Sequence, residues 1–149
     1  MWFRAALLAF FASALPSAKA ATLSAEIGNV RNARGHVHVD VCPQQHFLKE
    51  DCPYSGDAPA RAGTTSVVIR GVPPGDYAIQ AFHDENDDHR VDRALFGIPR
   101  EGIGFSNDAP VGLGPPKWDA AKFTLAGDAH LRLRMRYFLG ASGPDAPRK

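Results

Sequence analysis

The densest group of chemically capable side chains in this 149-residue chain is the run H-D-E-N-D-D-H-R-V-D, His83 to Asp92. It sets five carboxylates, an Asn and two imidazoles within ten residues. With Asp84 at position one of a cation-binding loop, Asn86 falls on position three, Asp88 on five, the Arg90 carbonyl on seven and Asp92 on nine. Alternate side chains of a tight loop converge on one point, and hard oxygen ligands at that point suit Ca²⁺. Two positions depart from the pattern. His89 stands where Gly normally permits the sharp turn, and Leu95 stands where a bidentate Glu closes the shell. Glu101, in the segment that follows, is the candidate replacement ligand. A shell completed that way predicts a weak site of the extracellular class, built from Asp84, Asn86, Asp88, Arg90, Asp92 and Glu101. The same run also reads as an Asx-rich turn whose carboxylates accept the N–H groups of their own loop.

Two other chemistries use neighbouring residues. His83 beside Asp84, with Glu101, offers groups that could act as acid and base in a hydrolase-like enzyme. Yet the chain contains no G-x-S-x-G elbow, no H-E-x-x-H pair and no phosphate-binding P-loop, so no catalytic residues and no enzyme activity are expected. His36 and His38, two apart on one strand face, could chelate copper or zinc with Asp40 or His130. Two imidazoles fall short of a full ligand set, and solvent-facing strands often carry such residues without chemical purpose.

The elements that position these residues are strands. In G-H-V-H-V-D-V-C, Val37, Val39 and Val41 alternate with His36, His38 and Asp40, the period of a half-buried strand. T-L-S-A-E-I alternates before it, and Asn29–Gly35 reads as a hairpin connection with Asn32 and Gly35 suited to positive φ. T-T-S-V-V-I-R and D-Y-A-I-Q-A-F-H-D read as sequential strands joined at G-V-P-P-G-D, with Pro74-Gly75 placed for a type II turn. In H-L-R-L-R-M-R-Y-F, Leu131, Leu133, Met135 and Tyr137 form one face and Arg132, Arg134 and Arg136 a solvated other face. A-A-K-F-T-L precedes it, paired through the turn at Gly127-Asp128. Asp92 to Trp118 is Gly- and Pro-rich without a period, with Phe96, Ile98, Ile103, Phe105 and Trp118 as apolar anchors for an ordered loop. Asp119–Lys122 or Phe47–Asp51 is expected to form at most a helical turn. The fold class predicted is all-β: one antiparallel sandwich of about seven strands.

The first twenty residues read as a secretory signal. Arg4 is a short positive n-region, Ala5–Leu15 is an apolar run, Pro16 breaks it, and Ala18-Lys19-Ala20 is an A-x-A cleavage site. Removing Arg4 and Lys19 takes the 17 basic residues to 15 against 16 acidic ones. That near-neutral balance gives no reason to expect nucleic acid or a membrane surface as a partner. No later stretch reaches transmembrane length. Secretion, most simply to a periplasm, places Cys42 and Cys52 in an oxidising compartment and predicts a disulfide. The domain is expected over residues 21–139, with a disordered tail over 140–149.

Several segments together resemble an exported bacterial family catalogued as domain-of-unknown-function family 2141. They are V-R-N-A-R-G-H-V, G-V-P-P-G-D-Y-A-I, H-D-E-N-D-D-H-R-V-D, F-G-I-P-R-E-G-I-G-F-S-N-D and G-P-P-K-W-D-A-A-K-F. This chain departs where the family tends towards N-G at the tip of the acidic run and here has Asp88-His89. The resemblance implies a transthyretin-like or carboxypeptidase-regulatory-like sandwich, which is similar in type to immunoglobulin-like domains, and no established activity. The function expected is an accessory or binding module for a protein, glycan or small ligand, with Ca²⁺ as its candidate cofactor.

Overall fold

Period-two patterning translates into eight strands among residues 17–144, which the computed structural model of the protein describes. Most of the Met1–Ala20 leader and the end of the 140–149 tail lie outside the described residues. β1 (Ala21–Val30) turns Leu23, Ala25 and Ile27 inward, and β2 (His36–Cys42) does the same with Val37, Val39 and Val41. β4 (Gly63–Val72) contributes Val67 and Ile69, β5 (Gly75–Asp84) contributes Tyr77 and Ile79, and β8 (Ala129–Arg134) contributes Leu133. These side chains meet in one apolar core. β3 (Tyr54–Pro59), β6 (Ile103–Phe105) and β7 (Phe123–Leu125) complete the set, and α1 (Trp118–Ala121) is a single helical turn.

The strands form a sandwich of two sheets. One runs β4-β1-β8; the other runs β3-β2-β5, with β6 and β7 both pairing along the remaining edge of β5. All pairings are antiparallel except β1–β8, which is parallel and departs from the wholly antiparallel expectation.

Two expected strand pairings prove to be crossings between sheets, and so does the tight turn that joins the sequential strands β4 and β5. β1 and β2 flank Asn29–Gly35 but lie in opposite sheets, as do β4 and β5 around G-V-P-P-G-D. β7 pairs with β5, while β8 pairs with β1 across the sandwich. Turn residues report that the chain reverses. They do not report whether the next strand settles beside its predecessor, about 5 Å away, or on the facing sheet about 10 Å away. The dihedrals shift accordingly: left-handed φ occurs at Asn29, Gly35 and Gly71, and not at Asn32 or Gly75.

The 92–118 segment, expected as an ordered loop, holds β6 and packs its own small core. Phe105, Ile103 and Trp118 meet Phe47 and the buried Cys42. The Ser106 hydroxyl accepts the Ile79 N–H at 2.9 Å and donates to the Ala121 carbonyl, tying this loop to β5. Cys42 and Cys52 are disulfide-bonded. A loop this short contributes about 2–3 kcal/mol through the unfolded chain. Phe47–Asp51 is not helical; a 3-10 turn covers Gln44–His46 instead. Arg136 is not part of a solvated stripe, since its guanidinium donates to the carbonyls of Asp108 and Ala109 at 2.7 Å. Among the described residues no helix is long and apolar enough to cross a membrane.

Candidate functional site

The end of β5 delivers His83, Asp84 and Glu85 into a junction of four chain segments. His83 and Asp84 are both buried, although only one can face the core of a regular strand. The 31–35 connection and the 99–102 segment close over that end, and the His83 N–H donates to the Gly102 carbonyl at 2.9 Å. Gly35, at φ +63°, lies so close to the Asp84 carbonyl that any Cβ would collide with it. Gly102 meets the Tyr137 ring in the same way.

His83 is wholly buried, and its network assigns its tautomer. Nε2 lies 2.8 Å from the Arg34 carbonyl, which can only accept, so Nε2 carries the proton. Nδ1 then accepts from the Tyr137 hydroxyl at 2.9 Å, and that oxygen accepts the Arg31 backbone N–H at 3.0 Å. Burial pushes the imidazole below its usual pKa, with Arg31 and Arg34 acting in the same direction and the Arg34 carbonyl opposing. Burial likewise pushes the Tyr137 hydroxyl up to about 12. Both groups are neutral near pH 7, and both serve to join β5 to the strands' connecting segments.

Glu85 binds the next segment. Its side chain is almost inaccessible, and its two oxygens take Arg31, Asn32 and Arg34 together. Burial opposes ionisation here, but the Asn32 and Arg31 donors outweigh it and hold the carboxyl below its ordinary value. Arg31 continues outward: its guanidinium donates to the carbonyls of Leu139, Ala141 and Arg100 and lies 4.5 Å from the centre of the Tyr137 ring. The first residues of the expected disordered tail are thus hydrogen-bonded, with the Ser142 carbonyl also accepting from Asn29 at 2.8 Å.

Five of the six expected metal ligands lie along one loop and Glu101 on the segment that follows it, and the side-chain oxygens of Asp84, Asn86, Asp88, Asp92 and Glu101 each accept an N–H donor. Asp84 accepts from the backbone of Asp88 at 3.1 Å and of His89 at 2.9 Å. Asp88 accepts from Arg90, and Asn86 donates to both Asp88 and Asp92. Glu101, also buried, accepts the N–H groups of Glu85 at 2.9 Å and Asp92 at 3.2 Å, so it grips the two ends of the loop. Burial raises its pKa against those two donors. His89 adopts the left-handed φ of 60° that a Gly would take there. Among the described residues no group of three or more His, Cys, Asp or Glu is disposed to hold a metal ion. Millimolar Ca²⁺ is therefore expected to leave the melting temperature unchanged. A rise that disappears in Asp84→Asn would show that the metal reorganises this network.

His83, Asp84 and Glu101, the candidate acid–base set, do come together, but each is buried and satisfied by main-chain or Tyr137 partners. His36 and His38 do not form a chelate. His36 pairs with Asp87, while the His38 ring bridges Asp57 at 2.7 Å and Asp40 at 2.9 Å. His130 lies on β8 in the other sheet, beside Glu26. Burial lowers the His38 pKa, but the two carboxylates outweigh it and raise the group to about 9. A folded-state value above the unfolded 6.5 stabilises the protein fully below about pH 6.5, and that contribution is lost as pH rises through about 9. Asp57 is half exposed, so after screening the contribution is about 1–2 kcal/mol. Denaturant titrations on both sides of that window should show the wild type losing this much more than His38→Asn. Equal alkaline losses would refute the assignment.

One feature was not legible as a site. Residues 93–100 form a small hairpin closed by Ala94 N–H to Ile98 O at 2.7 Å and Arg100 N–H to Asp92 O at 2.8 Å. The Arg93 guanidinium caps the turn through the Gly97 carbonyl at 3.0 Å. At its tip Leu95 is 81% and Phe96 98% exposed, and Ile98 is 41% exposed. Phe96 and Ile98, expected as anchors, instead face outward. Phe96 also sits at φ 61°, a region that a bulky residue occupies only at a cost. Hydrophobicity alone could not distinguish an anchor from a presented side chain.

A family model described as an uncharacterized protein conserved in bacteria (DUF2141) matches residues 25–132. No curated protein and no solved structure matches the chain.

Proposed function

The chain belongs to that uncharacterized bacterial family, and on this premise we propose that it is an exported, non-enzymatic binding module that presents the 93–100 hairpin to a partner. The leader-like Met1–Ala20 segment and the Cys42–Cys52 disulfide support export to an oxidising compartment such as the periplasm. The engagement of His83, Asp84 and Glu101 by structural partners supports a scaffold role for them over an acid–base one. The observation that carries the reading is the tip itself. Leu95 and Phe96 are held out on a braced turn, where they contribute nothing to the core and carry a backbone cost.

A photo-cross-linking residue at position 96 should give an adduct to protein or to lipid in cells, whereas one at Arg70 on exposed β4 should give none. Absence of any position-96 adduct overturns the binding reading. A panel of ester, phosphate and glycoside substrates should show no turnover. Turnover abolished by Glu101→Gln in a protein that still melts cooperatively would restore the enzyme alternative.

A further inference from the structure

We infer that the partner of the hairpin is the surface of a bilayer containing anionic lipids, an inference that rests on the binding-module reading above. Two features of different chemistry lie side by side. The first is the Leu95–Phe96 tip, apolar and projecting from a rigid turn. The second is an open groove of about 700 Å³ running from the hairpin's stem to the 139–141 segment. Arg31, Arg34 and Arg100 line it, and among the described residues no Asp or Glu does. Glu85 lies beneath and is bound by Arg31 and Arg34, so it neutralises one charge and leaves a surplus of two.

The three arginines are not equivalent. Arg31 is committed to Glu85 and to three carbonyls, which makes it part of the wall. Arg34 is 72% exposed with a single ion-pair partner. The Arg100 side chain has no hydrogen-bond or ion-pair partner among the described residues, and Ala94 and Arg100 belong to both groove and hairpin. The hairpin stem contains no carboxylate between Arg93 and Arg100. An apolar tip flanked by Arg100, which has no ion-pair partner among the described residues, and by the exposed Arg34, which shares Glu85 with Arg31, matches an interface where acyl chains lie just beneath phosphate head groups. Guanidinium pairs well with phosphate, and the aromatic ring suits the boundary between head group and hydrocarbon. A purely apolar protein groove would accept the tip but would leave Arg100 without a counter-charge and Arg34 with only the Glu85 carboxylate that it shares with Arg31.

Sedimentation of the full chain with vesicles tests this. Binding should be about tenfold stronger to equal parts phosphatidylglycerol and phosphatidylcholine than to phosphatidylcholine alone, and should weaken with salt. Leu95→Ser with Phe96→Ser, and separately Arg34→Gln with Arg100→Gln, should each reduce it by about tenfold. Circular dichroism melts matching wild type would exclude misfolding as the cause. Any contribution of the apolar Ala5–Leu15 run is common to wild type and variants. Equal binding to neutral vesicles, or binding unaffected by either variant pair, overturns the inference. So does saturable binding of soluble glycerophosphate that vesicles do not exceed, which would indicate a phosphate site without a membrane. A protein adduct at position 96 without vesicle binding also overturns it but leaves the binding-module reading standing. Loss of both adduct and vesicle binding removes both.

Discussion

Arg31→Met is expected to destabilise the fold by about 3 kcal/mol, because it leaves the part-buried Glu85 carboxylate without one of its two guanidinium partners. The same change frees the carbonyls of Leu139, Ala141 and Arg100 and removes the contact over the Tyr137 ring. For a domain of this size the melting temperature should fall by about 10–20 °C. Arg31→Lys should recover little, since one compact ammonium cannot serve a carboxylate and three carbonyls that a planar fork reaches together. Combining Arg31→Met with Glu85→Gln should cost less than the sum of the two single changes, because the stranded charge is gone. Thermal melts of the wild type and the four variants check this. An Arg31→Met melt within about 2 °C of wild type would show that the junction is not held by this pair.

The second large effect concerns His83. His83→Ala removes a filled volume and leaves the Arg34 carbonyl and the Tyr137 hydroxyl without their partner, at a cost of about 3 kcal/mol. The pH dependence carries a further signature. Burial holds the folded-state pKa of His83 below the unfolded 6.5. Between those two values the unfolded chain binds the extra proton, so stability is intact at neutral pH and falls as pH drops below about 6.5. The slope from this one group is at most about 1.4 kcal/mol per pH unit. The raised pKa of Glu101 acts in the opposite sense, so the quantity to follow is the difference between wild type and His83→Gln. Denaturant titrations from about pH 7 to 5 should show that difference shrinking as pH falls. A difference that stays constant would mean that His83 is not buried as a neutral group.

These two residues also show how much the sequence could disclose. His83 and Glu101 were visible as titratable groups near the acidic run, but their roles depend on partners 54 and 16 residues away. Arg31 lies within V-R-N-A-R-G, one of the segments carrying the family resemblance, without any local sign that it pairs with Glu85. Tyr137 was legible only as the last apolar residue of a strand pattern, although its hydroxyl is the bridge between Arg31 and His83. Three of the five segments that resemble the family, V-R-N-A-R-G-H-V, H-D-E-N-D-D-H-R-V-D and F-G-I-P-R-E-G-I-G-F-S-N-D, meet at this end of the sandwich, while the other two lie at the start of β5. Much of what looked like a reactive cluster is the fastening of four connections.

The all-β class, the principal strands, their buried faces and the disulfide followed from the sequence alone, because side-chain alternation and cysteine usage are local or compositional properties. Strands β3 and β6 were missed: Y-S-G-D-A-P and I-G-F are held in their sheets by neighbours more than by propensity. Tertiary structure alone decided which sheet each strand joins, since a short turn serves a hairpin and a crossing equally well. It also decided that the acidic run turns its oxygens onto its own backbone, that Glu101 accepts the N–H groups at the two ends of the run, and that Leu95 and Phe96 face solvent. Both outcomes depend on which distant segments close over a side chain, and period and spacing do not encode that.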